Sequence, residues 1–98
     1  MSPVSIQPQA HADAERAAAW YETQRPGLGI EFVLELDAAI DRAADSPKMY
    51  AQLYREARRV LVRRFPFAVY FVDDGEFLEV FAILHQQHEP AAWQRRVP

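Results

Sequence analysis

The sequence predicts an α+β fold in the order strand, helix, helix, strand, strand, strand. Three observations carry that expectation. Apolar residues recur with helical period between His11 and Ala44, runs rich in β-branched and aromatic residues follow from Ala57, and turn residues punctuate the segments. With 98 residues, 50% of them hydrophobic and 26% charged, the chain has the balance of a globular protein and the size of one domain spanning residues 1–98.

The first element is short. Val4-Ser5-Ile6-Gln7 alternates apolar and polar residues between Pro3 and Pro8, which predicts an edge strand. From His11 to Gln24 the period changes: Ala14, Ala17, Ala18 and Tyr21 fall on one helical stripe, and the alanines favour both helix and close packing. Asp13 and Glu15 are placed in the first turn, opposing the helix dipole. Arg25-Pro26-Gly27-Leu28-Gly29 interrupts the pattern and predicts a tight link. A second helix follows over Ile30–Ala44, with Phe32, Val33, Leu36, Ala39, Ile40 and Ala43 as its apolar stripe, and Ser46-Pro47 ends it. Two helices so joined form an antiparallel hairpin whose apolar face needs a sheet to cover.

Ala57–Phe65, Phe67–Val72 and Phe77–His85 supply that sheet as a meander. Phe65-Pro66-Phe67 marks its first corner and Asp73-Asp74-Gly75 its second. Strict alternation in the last strand turns Leu78, Val80, Ala82 and Leu84 toward the helices. It turns Glu79, Phe81, Ile83 and His85 the other way, so that Phe81 and Ile83 form an apolar surface for a partner, or for the C-terminal tail.

Charge is unevenly spread. The net charge is -3, yet residues 1–47 hold three Arg against eight Asp and Glu, while Arg55, Arg58, Arg59, Arg63 and Arg64 crowd into ten residues opposed only by Glu56. Arg suits carboxylate, phosphate and aromatic partners better than Lys, so this cluster reads as a binding strip as well as a solvated face. The absence of cysteine excludes a disulfide framework, a thiolate metal site and a cysteine nucleophile. No leader-like start or membrane-length apolar run is seen, and a cytoplasmic protein with no membrane partner is expected. No nucleotide fingerprint or Ser/His/Asp arrangement calls for a cofactor, and His85, His88 and Glu89 lack the spacing of a metal site.

Several stretches in order, namely Trp20-Tyr21-Glu22, Pro26-Gly27-Leu28-Gly29-Ile30-Glu31-Phe32, Arg58 through Tyr70 with its Arg-Phe-Pro-Phe corner, and His85 through Arg96, resemble the RelE/ParE toxin superfamily, often labelled plasmid stabilisation proteins. The resemblance covers nearly the whole chain and is closer to ParE. It implies a helical hairpin packed on a curved, mainly antiparallel four-stranded sheet completed by the N-terminal strand. It also implies a cytoplasmic toxin of a type II toxin-antitoxin pair, neutralised by a cognate antitoxin that wraps its working surface, with assembly into a larger toxin-antitoxin oligomer.

Two modes of toxicity follow from the resemblance. ParE-like toxins are protein binders that poison DNA gyrase; RelE-like toxins cut mRNA on the ribosome without a metal. RNA cleavage needs a base, an acid and cations around the phosphate, and Glu56, Arg59, Arg64, His85 and His88 are the residues that could serve. The only lysine is Lys48, no Tyr lies beyond Tyr70, and the net charge is acidic, which weigh toward gyrase binding. The expected antitoxin or target surface comprises Arg58, Arg59, Arg63, Arg64, Phe81, Ile83, His85, Trp93 and Arg95, with Trp93 also read as an anchor for the C-terminal segment.

Overall fold

The structure, a computed structural model, describes residues 2–98. Strand β1 (Val4–Ile6) leads into helices α1 (Pro8–Gln24) and α2 (Leu28–Asp45). After a 3-10 turn at Pro47–Met49 come β2 (Gln52–Tyr54), β3 (Ala57–Leu61), β4 (Phe67–Asp73), β5 (Leu78–His85) and a short helix α3 (Pro90–Gln94). The sheet has five strands in the order β1-β5-β4-β3-β2, antiparallel except where β1 lies parallel to β5. The α+β class and hairpin-on-sheet arrangement agree with the sequence reading; β2 is the added strand. None of the described helices is long and apolar enough to cross a membrane.

Helix α1 starts three residues earlier than its apolar stripe implies, because Pro8 occupies a first-turn position where its missing N–H costs nothing. Asp13 therefore lies beyond the first turn, correcting its reading as a dipole partner. The hairpin link closes through Glu22, whose carboxylate accepts the Gly27 N–H at 3.0 and 3.1 Å and the Gly29 N–H at 3.0 Å. Gly27 takes φ +89°, and at Gly29 the two helices approach so closely that an added Cβ would stand 2.8 Å from the Ala18 carbonyl oxygen.

Two apolar layers sandwich the sheet. Between sheet and hairpin lie Phe32, Leu36, Ile40, Val60, Val69, Phe71, Val80 and Ile83. Tyr21 and Phe32 meet Phe65 and Phe67 at ring separations of 4.8–6.0 Å, fixing the β3–β4 corner to the helices. On the far face Tyr70, Val72, Phe81, Ala82 and Leu84 form a second cluster beneath Trp93.

The strict alternation expected of β5 fails at one residue. Phe71 pairs with Val80 and Tyr70 with Ala82, so Phe81 is the extra residue of a bulge. Leu78 and Val80 face the helices as expected, but beyond the bulge the faces exchange: Ile83 turns to the helices, and Ala82 and Leu84 to the far face. Strand β3 is also shorter than Ala57–Phe65. Arg63 and Arg64 lie in the corner, where Arg64 adopts φ +70°.

Candidate functional site

The five clustered arginines do not form one strip. Arg58 pairs with Phe71 on the helix side of β3, and its Nη1 donates to the Tyr50 carbonyl oxygen. Arg59, opposite Tyr70, falls on the far face and is half-buried. Leu61, two residues on, shares that face and is 45% exposed. Arg63 is exposed in the corner. Arg64 is turned back onto α2, with Nη2 2.7 Å from Glu31 Oε1 and Nη1 3.8 Å from Glu35 Oε2. Arg25 adds a second contact to Glu31 at 3.0 Å. Hydrogen bonds from Arg64 and then Arg25 hold the Glu31 carboxyl below its ordinary range, and the same bond raises Arg64. Arg55 sits apart in the β2–β3 turn at φ +53°, its guanidinium 5.3 Å from the Tyr54 ring centre.

Phe81 and Ile83 do not form the open partner surface that was one of the two expectations: they are 2% and 1% exposed. The bulge sends Ile83 under the hairpin, while Phe81 is covered by the C-terminal segment. Trp93 of α3 stacks on Tyr70 at 4.6 Å with an interplanar angle of 16°, so it anchors the segment and is itself 6% exposed. Arg95 is exposed, and its neighbour Arg96 is the residue that engages the fold.

Arg96 meets a group whose role the sequence reading missed. Asp13, 3% exposed, accepts Arg96 Nη1 at 2.6 Å and the Ile83 N–H at 3.0 Å through Oδ2, and Arg16 Nη2 at 2.9 Å through Oδ1. One carboxylate thereby ties α1, β5 and the tail together. The signal was present: Asp13 sits three residues after buried Ala10 and four before buried Ala17, a carboxylate on the packed stripe.

The proposed RNA-cleaving set is not assembled. Glu56 lies in the turn before β3, while His85 pairs with Phe67 at the opposite end of the sheet. Some five or six strand residues intervene, roughly 15–20 Å. Arg59 stands between them and Arg64 is held by the α2 carboxylates. His85 accepts the Gln87 N–H at Nδ1 (3.1 Å), which places the proton of its neutral ring on Nε2, and its ring packs 5.5 Å from Phe67. His88 is exposed on the turn beyond, its N–H bonded to the His85 carbonyl.

This fold and element order agree with a sequence-level match: the model of the ParE toxin family, described as the ParE toxin of the type II toxin-antitoxin system parDE, fits residues 4–90. The chain belongs to the ParE toxin family. No curated protein matches the sequence, whereas nine chains of solved structures match the fold. One of them, described as the chromosomal ParDE TA system from P. aeruginosa, superposes with a TM-score of 0.76 over 87% of this chain and 96% of that one, at 17% identity. At that identity the superposition shows a shared fold. In this ParE-family chain the fold is closed at its far face by Trp93 and Arg96, which lie beyond the matched residues.

Proposed function

We propose that the chain is the toxin of a type II pair that acts by binding protein, with DNA gyrase as its target and a cognate antitoxin as its neutraliser. The observation that carries this reading is the far face of β3. Arg59 and Leu61 remain accessible there, Arg63 is exposed in the corner just beyond the strand, and among the described residues no carboxylate pairs with Arg59 or Arg63. Arg58 and Arg64, by contrast, are used within the fold. An antitoxin segment alternating carboxylates with apolar residues suits this face, through bidentate bonds to guanidinium and contact with Leu61. The family membership supports the pairing, as does a fold neighbour described as a ParDE TA system. The separation of Glu56 from His85 supports the protein-binding reading over RNA cleavage, since those two residues do not stand together as acid and base.

Purified chain added to gyrase should arrest supercoiling while leaving ribosome-bound mRNA intact. Cleaved mRNA with unaffected supercoiling would reverse the reading in favour of the ribosome.

A further inference from the structure

A cleft of about 310 Å³ opens between α1 and the outer edge of β5. It exists because β1 pairs with β5 only as far as Val80, after which the chain leaves the sheet and enters α1. Among the described residues the rest of the β5 edge has no neighbouring strand. The Ile83 N–H points outward there and is taken by Asp13. In a strand the N–H and C=O of one residue point the same way, and the direction recurs two residues on. The Ile83 carbonyl and the His85 N–H therefore face the cleft as well, and the His85 carbonyl accepts the His88 N–H at 3.0 Å.

Four edge groups thus lie in a row, and the outer two are satisfied from within. The middle two, an acceptor at Ile83 and a donor at His85, have no partner among the described residues. An added peptide strand would want all four. A planar ligand that places one donor beside one acceptor wants only the middle pair. The cleft walls match such a ligand: Trp20, 58% exposed, and Phe67 offer aromatic surface. Arg16, with 71% of its side chain exposed, and His88 offer cations or donors at the opening.

We infer that this cleft binds a purine nucleoside monophosphate. The pairing edge of adenine sets an amino donor beside a ring-nitrogen acceptor, complementary to the Ile83 carbonyl and the His85 N–H. The purine ring stacks on Trp20, a contact every base can make through its face. The phosphate reaches Arg16, whose guanidinium gives the strong charge-assisted bonds, and lies beside the His88 side chain. The volume lies at the lower end of the roughly 300–1,000 Å³ typical of small-ligand sites, the scale of one nucleotide. Neither the antitoxin surface nor the gyrase reading enters this argument, since Arg59 and Arg63 lie elsewhere.

The test is a titration of the full chain with AMP, followed by amide and indole NMR signals. AMP should move the His85 amide and the Trp20 indole N–H together. N6,N6-dimethyl-AMP, which keeps ring and phosphate but lacks the donor, should bind at least about tenfold more weakly, as should AMP to Trp20→Ala, whose amide spectrum away from the cleft checks that the fold is kept. Equal binding of the dimethyl analogue overturns the inference. So do shifts reproduced by inorganic phosphate alone, silence at millimolar AMP, or occupation of the same signals by an acidic apolar peptide to which AMP adds nothing.

Discussion

Asp13 is a carboxylate with 1% of its side chain exposed, and it is tolerated because its oxygens are met by one backbone N–H and two guanidinium groups. Asp13→Ala leaves the Ile83 N–H and the Arg96 guanidinium without their acceptor, and the expected loss in urea unfolding is about 3–5 kcal/mol. Asp13→Asn keeps an acceptor for Ile83 and should cost less; equal costs would show that the ion pair, and not the backbone bond, dominates. Glu22 works on the same scale with a different consequence. Bonds from the Gly27 and Gly29 N–H groups hold its carboxyl below the ordinary value of 4.5. A folded pKa lowered below the unfolded one contributes stability that is fully present above pH 4.5 and is lost as pH falls through the lowered value. Asp74, held low by the Phe77 and Glu76 N–H groups, has the same sign. Urea midpoints measured at falling pH should therefore decline more steeply for the parent than for Glu22→Gln, in which the amide oxygen remains an acceptor but no proton is taken up.

At the scale of elements, the hairpin depends on close approach at Gly29. A methyl group there would stand 2.8 Å from the Ala18 carbonyl oxygen and 3.0 Å from Glu22 Oε1, so Gly29→Ala must push the helices apart. A cost of about 1–3 kcal/mol in thermal or urea unfolding is expected; an unchanged midpoint would mean that the hairpin shifts freely. Helix α3 makes the complementary case. Trp93→Ala should uncover Tyr70 and Phe81, costing about 3–5 kcal/mol and raising binding of a hydrophobic dye. These elements also show what the sequence makes legible. The hairpin was readable because its stripes are long and Pro26-Gly27 marks the link, and the two sheet corners because Asp73-Asp74-Gly75 and Phe65-Pro66-Phe67 have few alternatives. Strand β2 was not, since Gln52-Leu53-Tyr54 is three residues with no resolvable period. The bulge was not either: Phe81 continues an apolar run in which either face is acceptable, and only the pairing of Phe71 with Val80 and Tyr70 with Ala82 reveals the slip. That one residue carried Ile83 from the expected surface into the core beneath the hairpin, while Phe81 keeps its expected face and is covered there by the C-terminal segment. Arg63 and Arg64 were assigned to a strand for a similar reason, because nothing local shows that the carboxylates of Glu31 and Glu35, remote in sequence, pull Arg64 aside.

For the whole molecule, charge and coverage divide the surface into regions of different use. The α2 carboxylates Glu31 and Glu35 neutralise the corner at Arg64, and the tail covers one end of the far face through Trp93 and Arg96. The part left accessible runs through Arg59 and Leu61 toward Arg63. If this is where the antitoxin lies, replacing both free arginines with glutamate sets like charge against its carboxylates as well as removing the bonds. Arg59→Glu with Arg63→Glu should then weaken antitoxin binding by two orders of magnitude or more, on the order of 3 kcal/mol, and the loss should shrink as salt screens the repulsion. Arg64→Glu alone provides the contrast: it breaks the contacts with Glu31 and Glu35, so it should lower the unfolding midpoint while leaving antitoxin affinity nearly unchanged. A titration in which Arg64→Glu weakens the antitoxin as much as the double variant would place the interface on the helical side of the corner. Undiminished affinity in the double variant would remove the β3 face from the interface altogether.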